Sequence, residues 1–392
     1  MADIAPRVNR IKPSLTLQIN AEAAAMQRGG ENVARLGAGE PDFDTPAPIR
    51  QAAHDAIDAG FTRYTAVAGD EALREAVAEK FRRDNDLVFD SGQILVTCGA
   101  KQALYDVSQT LLRPGDEAII PRPYWVSYPA QVMLAEAEPV FVDLKPDEGF
   151  TLDAARLEAA MSERTRLLFL NSPHNPTGRI LSRRELEDVA GVLRRHPEVY
   201  VVSDEIYEHI RWNDRPFLNL LNVAPDLGER CLVVNGVSKA YAMTGWRVGF
   251  VAGPEAVIKP MQKVQGQSTA GASSISQRAA LAALTGDQSP VAEMAAEYRR
   301  RHERIVPALN RLPGVRCPES QGTFYAFPDF SEAIDRMGAK DDMDFAERLL
   351  HEAEVAVVPG SGFGAPGHMR VSFAAALETI DTAMDRLQTF LK

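Results

Sequence analysis

Three short apolar runs in this chain each end in a segment dense with reactive side chains. After Leu170 comes Asn171-Ser172-Pro173-His174-Asn175-Pro176-Thr177-Gly178. After Val202 comes Ser203-Asp204-Glu205-Ile206-Tyr207. After Val234 comes Asn235-Gly236-Val237-Ser238-Lys239, with Arg247 eight residues beyond the lysine. If the runs are neighbouring parallel strands, an amide, a carboxylate, a phenol, an amine and a guanidinium meet at one sheet edge. A charged aromatic aldehyde cofactor needs that set. Its aldehyde calls for an amine that forms a Schiff base and later acts as a base, a task for lysine. A pyridine ring serves as an electron sink only while its nitrogen is protonated, and a carboxylate such as Asp204 favours the cation. A ring phenolate oxygen takes neutral donors, which Asn175 and Tyr207 supply. A phosphate takes backbone N–H groups at a helix start plus a cation. Gly99-Ala100-Lys101 and Arg247 fit those two needs. Each residue alone also has a plain structural reading: a helix cap, a turn or a surface lysine. Their joint occurrence after three strands favours the chemical one.

Such a cluster needs a sheet to hold it. Gly69–Arg83 carries Ala72, Leu73, Ala76, Val77 and Phe81 at helical spacing. Ile94–Val96 and Glu117–Pro121 read as strands, with a helix over Lys101–Leu112 between them. Leu167–Leu170, Val199–Val202 and Cys231–Val234 follow as strands, and Glu185–Arg195 as a helix. This alternation predicts an α/β fold with a mainly parallel sheet between helices. In such sheets the site lies beyond the carboxyl ends of the strands. After Ser289 the character changes. A long charged helix over Glu293–Leu309, short strand-like pieces at Gly322–Phe327 and Val355–Val358, and a closing helix from Leu377 suggest a smaller α+β unit. The segment before Pro46 has no place in the central alternation and is expected to pack with that unit. The expected division is 1–46, 47–290 and 291–392.

The bulk properties narrow the classes. A chain of 392 residues with 45% apolar and 25% charged residues has the balance of a soluble globular protein. A net charge of −11 argues against nucleic acid or an anionic membrane as the main partner. No apolar run is long enough for a signal peptide or a membrane span. Cys98, Cys231 and Cys317 are far apart and form no C-x-x-C pair, so neither a disulfide framework nor a metal site is expected. The reducing cytoplasm is the expected compartment. A hydrolase elbow is missing, since Gly266-Gln267-Ser268-Thr269-Ala270 lacks its last glycine. Gly360-Ser361-Gly362-Phe363-Gly364 has the wrong spacing for a dinucleotide loop and reads as a turn beside the site.

At the residues of the three strand ends the chain resembles the class I aminotransferases, pyridoxal-phosphate (PLP) enzymes of fold type I. The resemblance extends to Gly37-Ala38-Gly39-Glu40-Pro41-Asp42-Phe43, Arg63-Tyr64-Thr65, Pro123-Tyr124-Trp125-Val126-Ser127-Tyr128-Pro129 and Arg370-Val371-Ser372-Phe373-Ala374. It is strongest with the bacterial and plastid aspartate aminotransferase subgroup, some of whose members also use prephenate. It implies a large domain with a seven-stranded sheet, a small domain built from both chain ends, and a homodimer with shared sites. It implies that Lys239 carries PLP as a Schiff base, Asp204 pairs with the ring nitrogen, and Asn175 and Tyr207 contact the ring oxygen. Trp125 would stack on the ring. Gly99, Ala100, Lys101 and Arg247 would surround the phosphate, with Tyr64 reaching it from the partner subunit. Arg370 would grip the substrate α-carboxylate, completed by Asn175 and the Gly39 backbone. Lys101, Thr16 and Ser14 hold the positions that read a distal carboxylate in the subgroup. One departure stands out. Many relatives carry serine where this chain has Gly236, and Ser238 is the candidate substitute. The expected reaction is ping-pong transamination of aspartate with 2-oxoglutarate, with prephenate a further acceptor. The alternatives are alanine or aromatic amino acids as substrates, or a PLP β-lyase on the same scaffold. A transcription regulator that senses PLP would need a DNA-binding domain ahead of Gly39, where there is no room for one.

Overall fold

The computed structural model describes residues 4–212 and 216–392. Twelve strands run through them in chain order: β1 Ala34–Arg35, β2 Ile94–Thr97, β3 Glu117–Arg122, β4 Glu138–Asp143, β5 Thr165–Asn171, β6 Tyr200–Asp204, β7 Cys231–Gly236, β8 Gly249–Ala252, β9 Tyr325–Ala326, β10 Val355–Ala356, β11 Val358–Pro359 and β12 Met369–Ser372. Seven of them form one sheet in the order β2-β8-β7-β6-β5-β3-β4. β8 alone runs against its two neighbours, and the other pairings are parallel.

The sheet is covered on both faces, which explains why its central strands are unbroken apolar runs rather than alternating ones. Successive side chains of β5 show the division. Leu167 and Phe169 join the core made with helices Ala100–Leu111, Ser127–Leu134 and Glu255–Gly266. Leu168 and Leu170 join the core made with helices Glu71–Asn85, Arg183–Arg195 and Ser274–Thr285. Register then fixes the site. Asn171 pairs with Asp204, and Asp204 with Val234. The three reactive segments therefore leave the sheet side by side at its carboxyl edge.

The second half of the architecture is built from both ends of the chain. β9, β11 and β12 form an antiparallel sheet, and β1 pairs in parallel with β10. Helices Ser289–Leu309, Asp342–Glu352 and Leu377–Phe390 close over a core of Phe324, Tyr325, Phe330, Phe345, Ile380 and Leu387, and Leu36 from the N-terminal segment is buried in it. Two strand predictions contract. The extended run over 322–327 is a strand only at Tyr325–Ala326, because Thr323 adopts φ +65° and breaks it. The run over 355–358 divides at Val357. Its first half pairs with β1 and its second with β12.

Candidate active site

A cleft of about 470 Å³ opens at the carboxyl edge of the large sheet, facing β12 and the N-terminal segment. Its walls include Ser14, Thr16, Gly39, Ala100, Lys101, Trp125, Asn175, Asp204, Tyr207, Ser238, Lys239, Arg247 and Arg370. Sequence reasoning had singled out each of these. Gly99 lies just behind, at the N-cap of helix Ala100–Leu111. Tyr64 does not join them within one chain, since it is 99% exposed. Ser14 occupies the N-cap position of helix Leu15–Arg28 without a capping bond from its side chain, so the capping role is unused.

Asp204 is buried and accepts a hydrogen bond from the Tyr128 hydroxyl at 2.8 Å and a longer one from the Ile206 N–H at 3.3 Å. Burial outweighs both and pushes its carboxyl up to about 6. Lys239 Nζ donates to the Gly39 carbonyl at 2.6 Å. Burial, with the Arg370 charge adding to it, pulls its ammonium down to about 8. Acid and amine are thus both drawn toward neutrality, as befits groups awaiting a partner. The Tyr207 hydroxyl lies 2.9 Å from that of Tyr325, and burial raises both phenols.

Arg370 is buried and donates to Asn175 Oδ1 at 3.2 Å and to the Gly37 carbonyl at 3.0 Å. Its guanidinium lies 4.3 Å from the Tyr325 ring centre and 5.0 Å from that of Phe363, and its Nε has no hydrogen-bond partner among the described residues. Arg370 needs an acceptor, so Asn175 turns its oxygen that way and keeps its amide N–H groups to donate elsewhere. Asn171 braces the turn. Its Oδ1 accepts from the Asn175 N–H at 2.8 Å, and its Nδ2 donates to the Asp204 carbonyl at 2.9 Å. Phe363 belongs to the Gly360–Phe363 turn, which therefore does stand beside the site.

The start of helix Ala100–Leu111 forms an open cradle. Gly99 has φ +79°, and a Cβ there would lie 2.3 Å from an Arg247 nitrogen. Arg247 itself has φ +57° and donates to the carbonyls of Thr244 and Cys98 at 2.8 and 3.2 Å. Gly249 presses on the turn, since a Cβ would lie 2.2 Å from the Ala100 nitrogen. Gly236 in turn presses on Gly249, where a Cβ would stand 2.9 Å from its Cα. The glycine at 236 is thus part of the local packing here, and a serine there would need the backbone to move. Lys101 holds its Nζ 4.9 Å from the Trp125 ring centre.

Sequence reasoning missed Tyr128, Tyr325 and Asn171 as site residues. Tyr128 follows Trp125 by one helical turn, which was a usable signal. Tyr325 meets Tyr207 across 118 residues, and nothing local announces it. It also missed a buried polar cluster behind the Asp204–Ile210 turn. Lys80, 2% exposed, touches the Glu208 carboxylate, 3% exposed, and donates to Asn85 Oδ1 at 2.6 Å. Burial alone would raise Glu208, but the Lys80 ammonium holds it well below the usual carboxylate range. Asp84, Glu208 and His209 lie close enough together to resemble metal ligands. Lys80 already supplies the positive charge there.

Comparison with known proteins agrees with this geometry. Residues 31–387 match the family model of aminotransferase class I and II. The aspartate/prephenate aminotransferase of Nitrosomonas europaea is 46% identical over 99% of this chain and 99% of its own length. The crystal structure of the aspartate aminotransferase from Rhizobium meliloti superposes with a TM-score of 0.95 at 43% identity, covering 100% of this chain and 99% of that one. The Thermus thermophilus aspartate aminotransferase with maleate gives 0.93 at 44%, covering 99% and 100%. A match of that length and identity, on a cleft of this composition, means that the chain belongs to the class I and II aminotransferases.

Proposed function

We propose that the enzyme holds PLP in this cleft and transfers the amino group of aspartate to 2-oxoglutarate, with prephenate as a further acceptor. The observation that carries the cofactor assignment is the buried pair of Asp204 and Lys239, both pulled toward neutrality in a single cleft. The residues fit the group. The Gly99 cradle, free of any Cβ, and the Arg247 guanidinium suit a phosphate dianion, with Ala100, Lys101 and Ser238 beside them. Asp204 suits a ring nitrogen that must stay protonated, Asn175 and Tyr207 a ring oxygen, and Trp125 a ring face. When bound, PLP supplies an aldehyde that exchanges with the substrate amine and a pyridinium that draws electrons from the α-carbon.

The remaining steps belong to the side chains. Arg370 binds the substrate α-carboxylate through its planar fork, with Asn175 and the Gly39 backbone completing the pocket. Tyr325 and Phe363 flank that fork and keep water from it. Lys239 Nζ takes the α-proton and holds it. An amine brought near neutrality by burial is suited to that task at ordinary pH. One carboxylate clamp serves donor and acceptor in turn, which gives ping-pong kinetics. The 1–46, 47–290 and 291–392 division, with the first and last parts forming one unit, rests on the β1–β10 pairing and the shared burial of Leu36. Free cysteines suit a reducing cytoplasm.

Aspartate specificity rests on Lys101, Thr16 and Ser14, which line the same cleft as Arg370, and on the names of the relatives. A donor screen against 2-oxoglutarate and prephenate tests it. Lys101→Ala should lower kcat/KM for aspartate by about tenfold or more and leave alanine nearly unchanged, the size of a lost charge-assisted contact. Equal losses for both donors would refute the role of Lys101. Absence of aspartate turnover in the unaltered enzyme would refute the substrate.

A further inference from the structure

The cleft is lined by one cation more than the reaction uses. Lys239, Arg247, Arg370 and Lys101 have roles above, and Arg35 has none. Arg35 ends β1, between Ala34 and Leu36, both of which turn into the core. Alternation along a strand sends its side chain the other way. Arg35 lines the cleft and also an adjoining cavity of about 480 Å³, and Ala38 and Glu40 form the rest of the shared wall. Its Nε is buried without a partner. Among the described residues, its side chain makes no hydrogen bond or ion pair. A buried donor left unpaired carries the full cost of its lost solvation. Chains tolerate that where a ligand supplies the acceptor.

The acidic groups nearby have other partners. Glu40 accepts from the Thr244 hydroxyl at 3.0 Å, and Asp42, in the adjoining cavity, is paired with Arg301 at 2.7 Å. A planar guanidinium with free donors, partly desolvated, recognises carboxylate best. The adjoining cavity extends the space beside Arg35, and Thr379 and Thr382 on its wall can meet a polar chain end. We propose that Arg35 forms a second carboxylate subsite, which binds the remote carboxylate of dicarboxylic amino and oxo acids longer than 2-oxoglutarate. The proposal rests on the aminotransferase reading above and extends its substrate class.

Two measurements on the holoenzyme test it. The first compares kcat/KM for alanine, aspartate and 2-aminoadipate in the unaltered enzyme, Arg35→Ala and Arg35→Lys. Arg35→Ala should lower 2-aminoadipate about tenfold or more, through KM, while alanine and aspartate stay within about twofold. Arg35→Lys should recover part of the loss. The second is calorimetric binding of adipate, a dicarboxylate that cannot react. Its affinity should fall in Arg35→Ala and not in Lys101→Ala to the same extent. Equal losses for all three donors, or adipate binding unchanged in Arg35→Ala, would overturn the subsite. If the unaltered enzyme fails to turn over aspartate, the substrate reading fails, while adipate binding still reads Arg35 on its own.

Discussion

Asp204 has a phenol as its principal support. The Tyr128 hydroxyl at 2.8 Å opposes the burial that lifts the carboxyl to about 6. A lift of that size is worth on the order of 3 kcal/mol between the two protonation states. Its sign decides two pH dependences. In the chain without cofactor, the folded pKa lies above the ordinary aspartate value, so the favourable contribution is present at low pH and is lost as pH rises through about 6. Binding a protonated ring reverses the preference, because only the ionised carboxylate pairs with it. PLP affinity should therefore weaken as pH falls below about 6. Tyr128→Phe removes the bond that favours ionisation, so the weakening should begin at a higher pH. Cofactor dissociation followed across pH checks this, and an unshifted midpoint in Tyr128→Phe would remove Tyr128 from the account.

At the scale of elements, the cradle depends on how closely three backbone segments approach. Gly236, at the end of β7, lies against Gly249, which starts β8, and Gly249 lies against the Gly99–Ala100 turn after β2. The Ala100 nitrogen belongs to the helix start suited to the phosphate. Gly249→Ala should push that turn outward, lowering PLP affinity by more than about tenfold and costing ~1–3 kcal/mol of stability, as overpacking does. Equilibrium dialysis of PLP and denaturant unfolding of the cofactor-free chain measure the two effects separately. Unchanged affinity would mean that the turn yields freely.

The same scale shows what could be read beforehand. The strand ends were legible because Leu167–Leu170, Val199–Val202 and Cys231–Val234 are apolar throughout, and a polar residue after such a run must mark an edge. Tyr128 meets Asp204 across 76 residues, and that pairing depends on how helix Ser127–Leu134 is set against the sheet. Lys80 was hidden for another reason. A lysine in a charged helix reads as solvated, and only the packing of Glu208 against it shows otherwise. The division of 355–358 between two sheets likewise follows from partners distant in sequence.

At the scale of the whole molecule, the cleft of one chain has an open side. Leu17, on the helix that carries Thr16, is 69% exposed at the cleft, and Tyr64 is 99% exposed and outside the lining of its own chain's cleft. If Tyr64 serves the phosphate, as the resemblance to the family implies, a phenol so exposed would do so in a neighbouring copy. In a twofold dimer the same surface appears on both subunits, so each Tyr64 would complete the other's cleft. Hybrid dimers distinguish this from a role within one chain. Tyr64→Ala subunits keep their own lysine, and Lys239→Ala subunits keep their own tyrosine. In a hybrid, the site with an intact Lys239 receives Tyr64 from its partner and is complete. Co-refolding equal amounts should pair subunits at random and restore about a quarter of all sites. Activity above that of either variant alone, with unaltered PLP retention in the restored sites, is the expected result. If Tyr64 acted within its own chain, no combination of these subunits would contain a complete site, and mixing would recover nothing.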